Sequence, residues 1–225
     1  MSAHVISAAL LRRSPLASFI GFIIAFHVAW IGWPYLVYPR LITLGETTLT
    51  YAILNIGLRL LIWVLPVLAY LRYIDRVNPF DYLKLKGHVR RGVVVAVVLT
   101  AVNVLGSVLR FGPPHLSLQR VTWNSVLGTS FFVGFIEEIP YRGFMLQKLA
   151  ERVNFWAANL ITSLLFLAVH LPGWIALHQL RIGRVASIFI VSLVLAVAFK
   201  LSKSLWAPIV AHSANDFLSF VVFGL

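Results

Sequence analysis

Seven long apolar runs leave this chain few ways to fold. They cover about Leu16–Val37, Leu49–Leu71, Gly92–Leu109, Val121–Leu149, Phe155–Leu171, Val185–Leu201 and Leu205–Phe223. A helix of such length crosses a hydrocarbon layer of roughly 30 Å, given a rise near 1.5 Å per residue. Inside lipid every backbone polar group needs a partner from the chain itself, so only helices and closed barrels can span. Barrel strands alternate apolar and polar residues, whereas these runs are continuously apolar, and helices are selected. With 60% hydrophobic residues among 225 and a mean hydropathy of +0.90, there is more apolar side chain than a soluble core can absorb. The expectation is an all-α fold, a polytopic integral membrane helix bundle of about seven transmembrane helices, multi-pass in the cell membrane. No repeat, low-complexity tract or soluble domain interrupts it, so 1–225 reads as a single membrane domain.

Charge sharpens the reading. A formal net charge of +12 would suggest nucleic acid in a polar chain. Here the basic residues gather between apolar runs, where an anionic membrane surface attracts them. The expected partner is the lipid bilayer, with no nucleic acid. The absence of cysteine excludes disulfides and thiolate metal sites. Arg12-Arg13 before the first run resembles a signal peptide only superficially, because that run is long enough to span and lacks a clean small-residue cleavage site. An uncleaved first helix is expected.

Arg12, Arg13, Arg72, Arg76, Lys84, Lys86, Arg90, Arg91, Lys148, Arg152, Lys200 and Lys203 fall on one side of a seven-span arrangement. Only Arg40, Arg110, Arg120, Arg181 and Arg184 fall on the other. This bias puts the N-terminus and the turn at Glu151–Asn154 in the cytoplasm. The basic stretch Arg72–Arg91, with Pro79-Phe80-Asp81-Tyr82-Leu83 inside it, is expected to lie along the headgroups. Trp33, Tyr35, Tyr38, Trp123, Trp174 and Trp206 sit where interfacial belts would need them.

Against this background stands a polar set at bilayer depth: Glu137, Glu138, Arg142, His170, His212 and Asp216. Ionisable groups are costly there and mark functional sites by default. Glu138 and Arg142 are four apart, spaced for an intrahelical ion pair that leaves Glu137 free to take a proton or a cation. Pro140 between them removes a backbone donor and predicts a kink. Glu137 and His170 lie at about equal distance from the turn at Glu151–Asn154, roughly 22 Å along each helix. Antiparallel partners would hold them at one depth. Phe166, one turn before His170, offers an apolar floor. His212 and Asp216 share a helix face, with Asn215 as a competing partner. Arg59, one turn after Asn55, is the remaining intramembrane charge; a structural pair or snorkelling is favoured over a substrate-carboxylate site.

In this order, Glu137-Glu138-x-x-x-Arg142, Phe166-x-x-x-His170 and His212-x-x-x-Asp216 resemble the CAAX protease and bacteriocin-processing family of intramembrane proteases. The stretches Glu-Glu-Ile-Pro-Tyr-Arg-Gly and His-Leu-Pro-Gly-Trp add to the likeness, which is carried by 121–225. The resemblance implies a membrane-embedded endopeptidase acting on a membrane protein or peptide. Glu137 and His170 would activate water, Glu138 and Arg142 would brace Glu137, and His212 with the residue four later would stabilise the oxyanion. Many members carry Asn at that last position, and this chain carries Asp216. An amide can donate to an oxyanion, but an ionised carboxylate repels it. Asp216 is therefore protonated, orients His212, or binds a cation. The family's accounts divide between metal-dependent and glutamate-driven catalysis. Asp216 tilts this chain toward metal, with Glu137, His170, His212 and Asp216 as candidate Zn²⁺ ligands. Two other readings stay open. One is a non-catalytic scaffold or immunity protein that keeps the motif; the other is a proton or ion carrier, against which the lack of repeated halves argues.

Overall fold

A computed structural model describes residues 15–114 and 117–224, all-α throughout. Arg12 and Arg13 lie outside the described residues. Among those described, eight helices follow one another besides a 3₁₀ turn at Leu118–Arg120. They are α1 (Leu16–Leu44), α2 (Leu49–Ile74), α3 (Pro79–Tyr82), α4 (Val89–Phe111), α5 (124–150), α6 (Phe155–Ala176), α7 (Ile182–Ser202) and α8 (206–223). Five of these, α1, α2, α4, α6 and α7, are long and apolar enough to cross a membrane. The chain is a multi-pass membrane protein. The other two apolar runs are helical too, as α5 and α8, but fall short of that measure. Glu137, Glu138, Arg142 and Lys148 lower the hydropathy of α5; His212, Asn215 and Asp216 lower that of α8.

Local chemistry sets the boundaries. The Asn154 side chain accepts from the Ala157 N–H at 3.0 Å and starts α6 directly after the reversal that ends α5. Thr48 caps α2 in the same way, accepting from Tyr51 at 3.1 Å. In α5, Pro140 has no N–H to offer the preceding turn, and the helix widens into π turns from Ile139 to Leu146. This is a change of helical pitch at the place where the sequence suggested a kink. A second π segment, Leu60–Val64, follows Arg59 in α2 and precedes Pro66. The fifth apolar run ends at about Leu171, but its helix does not. α6 continues through Pro172 to Ala176, because helices in a bundle tolerate proline where neighbours satisfy the freed groups. Tyr35 of α1 ties this turn by donating to the Pro172 carbonyl at 3.2 Å, whereas the acceptor that the proline itself frees is the Ala168 carbonyl.

Two packing features position the site. Aromatic rings tie α1 and α2 to α5: Trp30 stacks on Trp63 with centroids 4.1 Å apart, and Phe22 and Tyr70 both meet Phe144 edge-on. Across the bundle, α8 lies against α4, α7 and the first half of α5. Gly134 makes that last contact possible. A Cβ there would run into the Ile209 carbonyl and, at 2.5 Å, into Ser213 Oγ. Small residues let membrane helices approach this closely. Gly134→Ala should therefore push α5 from α8 and cost about 1–3 kcal/mol, visible as a lowered unfolding temperature in detergent.

The basic stretch after α2 is anchored to the bundle on its inner side. Leu83 is fully buried, the Leu205 N–H donates to the Lys84 carbonyl at 3.2 Å, and Lys148 pairs with Asp75 at 2.7 Å in the interior. Tyr82 donates to Glu151 at 2.8 Å; burial, then the charge of Glu151, push its hydroxyl well above the usual tyrosine range. The half-buried Trp206 ties the same stretch to α8: its indole N–H donates to the Leu85 carbonyl at 2.8 Å and its ring meets Phe135 edge-on.

Candidate active site

Adjacent carboxylates on one helix point about 100° apart, and α5 uses this to send Glu137 and Glu138 to different partners. Glu138 is fully buried. Its Oε1 accepts from Arg142 Nη1 at 2.8 Å and from His212 Nδ1 at 2.6 Å. Arg142 continues to the Ser192 hydroxyl at 2.8 Å and the Ser192 carbonyl at 3.0 Å. Ser192 donates to Ser163, and Ser163 to Asn159. The guanidinium also lies over the Phe166 ring, 4.6 Å from its centroid. One network thus joins α5, α6, α7 and α8. The intrahelical Glu138–Arg142 pair forms as the spacing suggested, but it braces His212 and not Glu137.

Glu137 is not free either. Arg59, from α2, donates to its Oε1 at 3.1 Å. The other oxygen, Oε2, faces His212 Nε2 at 3.8 Å and His170 Nε2 at 4.0 Å. Asp216 Oδ2 lies 3.6 Å from the same His212 nitrogen. The imidazole orientations follow from their other bonds. His170 Nδ1 lies 2.8 Å from the Phe166 carbonyl, which can only accept, so Nδ1 carries the hydrogen and Nε2 of the neutral ring is an acceptor. His212 Nδ1 donates to Glu138 in the same way. Phe166 is the floor, its centroid 4.7 Å from His170 and 6.1 Å from His212. The Glu137 and His212 side chains are 6% exposed, against 21% at His170 and 26% at Asp216. That gradient gives the cluster a closed side and an open one.

Asn215 does not compete for His212. It accepts from Asn103 Nδ2 at 2.6 Å and donates to Asp216 Oδ1 at 3.0 Å. Ser107 in turn donates to Asn103. These α4 residues escaped the sequence reading, although Asn103 and Ser107, four apart inside an apolar run, are the kind of polar pair that signals a buried contact. Ser192, Ser163 and Asn159 were missed likewise. Asn55, noted beside Arg59, donates instead to Asn124 at 3.2 Å.

The candidate zinc ligands do not fit a metal ion as they stand. Bonds near 2.0–2.1 Å would hold tetrahedral donors about 3.3 Å apart. The separations here are 3.6, 3.8 and 4.0 Å, and the Arg59 cation sits on Glu137. Among the described residues no three His, Asp or Glu side chains are grouped to hold a metal.

Comparison with curated proteins and with solved structures gave no match. Comparison with protein families did: residues 119–218 match the family described as Type II CAAX prenyl endopeptidase Rce1-like. The matched stretch contains Glu137, Glu138, Arg142, His170, His212 and Asp216, and leaves Arg59 and Asn103 outside. The family implies a protease with a protein or peptide substrate. Residues 119–218 are thus a Type II CAAX prenyl endopeptidase Rce1-like domain, and they carry every member of the buried carboxylate–histidine cluster except the arginine that α2 lends it.

Proposed function

We propose that the chain is an intramembrane endopeptidase that hydrolyses a peptide bond of a membrane-associated protein or peptide, with water activated by Glu137 and His170. The observation that carries this reading is the division of labour at Glu137. One oxygen is anchored by Arg59 and the other faces two imidazole nitrogens at 3.8 and 4.0 Å. Those separations are too long for direct hydrogen bonds and suit one bridging water. Such a water gives a proton to Glu137 or His170 as its oxygen attacks the scissile carbonyl. His212, its Nδ1 held by Glu138, presents Nε2 to the developing oxyanion and donates to it once protonated. Asp216 has one oxygen engaged by Asn215 and the other near His212 Nε2. This supports a role in orienting His212 and balancing its charge, not in touching the oxyanion. Each step uses the chain's own groups.

The working unit in this reading is 1–225, with α5 and α8 completing seven spans in the cell membrane. The basic bias sets the turn after α5 in the cytoplasm. The segment from 121 onward holds the chemistry, and the first spans wall it and supply Arg59. The CAAX prenyl substrate in the family's name is one candidate among membrane peptides, because sites and not folds fix substrates.

The test is a survey of new protein termini in membranes of cells expressing either the wild-type chain or Glu137→Gln at equal abundance. Cleaved termini should accumulate only with the wild type, which also names the substrate. Identical sets of termini, with the cellular role intact in Glu137→Gln, would mean a scaffold that keeps the motif.

A further inference from the structure

Near the turn between α5 and α6, two neighbouring cavities share the side chains of Lys84 and Lys203. The first, about 490 Å³, also has Asp81, Lys86 and His88 in its wall. The second, about 340 Å³, adds Lys200 with the apolar faces of Leu146, Phe155 and Phe199. Lys86 is paired with Asp81 at 3.0 Å, and Glu151, which is in the wall of the second cavity, is engaged by Tyr82 and Lys148. Among the described residues no carboxylate comes within ion-pair range of Lys84, Lys200 or Lys203. Three ammonium groups from two separate segments line a common cavity, and among the described residues none of the three has an ion-pair partner.

The backbone holds them there. Lys84, His88 and Lys203 adopt left-handed conformations, with φ of 56°, 52° and 57°. Side chains other than glycine enter this region at a cost, and such strain collects at functional sites. Leu83 and Leu205 close on Gly143, where a Cβ would meet them at 2.8 and 3.0 Å. The Leu205 N–H bonds the Lys84 carbonyl, so the two lysine-bearing segments cannot drift apart to relieve repulsion. Burial, and then the charge of Lys203, push the Lys84 ammonium below its usual range. Lys200 stands 4.2 Å from the Phe155 centroid and 5.1 Å from that of the exposed Trp156, and Lys84 stands 4.9 Å from Phe199. Cations beside interfacial rings match the boundary between headgroup and acyl chain.

We infer that Lys84, Lys200 and Lys203 bind the phosphate of an anionic phospholipid, with its acyl chain along Phe155 and Phe199. Inorganic phosphate offers the same oxygens. The apolar wall of the second cavity is what favours the lipid. Lys203 lies three residues before α8, so an occupied site would steady the start of the helix that carries His212 and Asp216.

The experiment uses the full chain in nanodiscs of phosphatidylcholine, with and without phosphatidylglycerol, and counts retained phosphatidylglycerol by native mass spectrometry. Lys84→Gln/Lys203→Gln should lower its apparent affinity roughly tenfold or more. Arg181→Gln/Arg184→Gln, which removes the same charge elsewhere, should change it less than about twofold. Lys84→Arg/Lys203→Arg should retain the lipid, and the Gln pair should unfold in neutral detergent at or above the wild-type temperature because repulsion is relieved. Equal losses in the two Gln pairs would reduce the effect to diffuse surface charge and overturn the site. So would phosphatidylglycerol retention by the Gln pair at the wild-type level. Inorganic phosphate competing as well as the lipid would overturn the lipid assignment. None of these readouts depends on proteolysis, so the site can fail while the protease reading stands, or the reverse.

Discussion

Glu138→Ala should cost the fold about 3–5 kcal/mol, enough to abolish accumulation of the native protein. One buried oxygen of this carboxylate accepts from both Arg142 and His212. Arg142 is 1% exposed, and once the carboxylate is gone neither water nor lipid can replace it. The remaining Arg142 bonds, to the Ser192 hydroxyl and carbonyl, offer neutral oxygens to a full charge. His212 loses the acceptor that fixes its tautomer, and α8 keeps the Ser213 bond to the Phe131 carbonyl but loses its charged tie to α5. Glu138→Gln separates fold from chemistry. Its amide oxygen can take the place of Oε1 and keep both donors, while its NH₂ replaces Oε2, which has no partner, and the negative charge is lost. A smaller loss of stability is expected, with His212 still held by one hydrogen bond. Unfolding temperatures of the purified variants in detergent check the order, wild type above Glu138→Gln above Glu138→Ala. An alanine variant as stable as the wild type would mean that Arg142 and His212 find other partners, and the brace would be dismissed.

What the sequence made legible follows from how far each interaction reaches along the chain. The helices were readable because lipid permits no alternative to them, and the Glu138–Arg142 pair because both partners sit on one helix. Glu137 and His170 could be placed at a common depth by counting from the turn before α6. The partner of Glu137 could not. Arg59 lies 78 residues away, and an apolar run does not announce which neighbour it faces. For the same reason Glu138 was assigned to Glu137's support when geometry gives it to His212. Asn103 reaches Asn215 across 112 residues, a contact that only the packing of α4 on α8 creates. The fifth apolar run ends at about Leu171, and the helix goes on through Pro172 to Ala176 because a bundle tolerates proline inside a helix. Pro140 was recognised as a disturbance, yet whether a lost donor produces a kink or wide π turns depends on what surrounds it. The lysines were assigned to the headgroup region from charge alone. That Lys84 and Lys203 face one another depends on Leu83 and Leu205 meeting over Gly143, which no local pattern encodes.

With a cleaved substrate in hand, Glu137→Gln should lower kcat by about 10²–10⁴ while leaving the fold intact, because an amide fills the same space but cannot take the proton from water. Arg59→Gln should cost less, about 10- to 100-fold, the worth of a charged hydrogen bond of roughly 1.5–3 kcal/mol. If Arg59 acts by holding Oε1 so that Oε2 meets the two imidazoles, its removal matters only while Glu137 is a carboxylate. The double variant should then be no slower than Glu137→Gln alone, a strong departure from additivity. The loss at Arg59 should fall on kcat and leave KM unchanged. Arg59→Lys should recover part of it, since an ammonium keeps the charge without the planar fork. A guanidinium that instead gripped a carboxylate of the substrate would raise KM and lose its effect on substrates blocked at that group. Additive losses in the double variant, with KM raised, would move Arg59 from the general base to the substrate and leave Glu137 to be oriented by its helix alone.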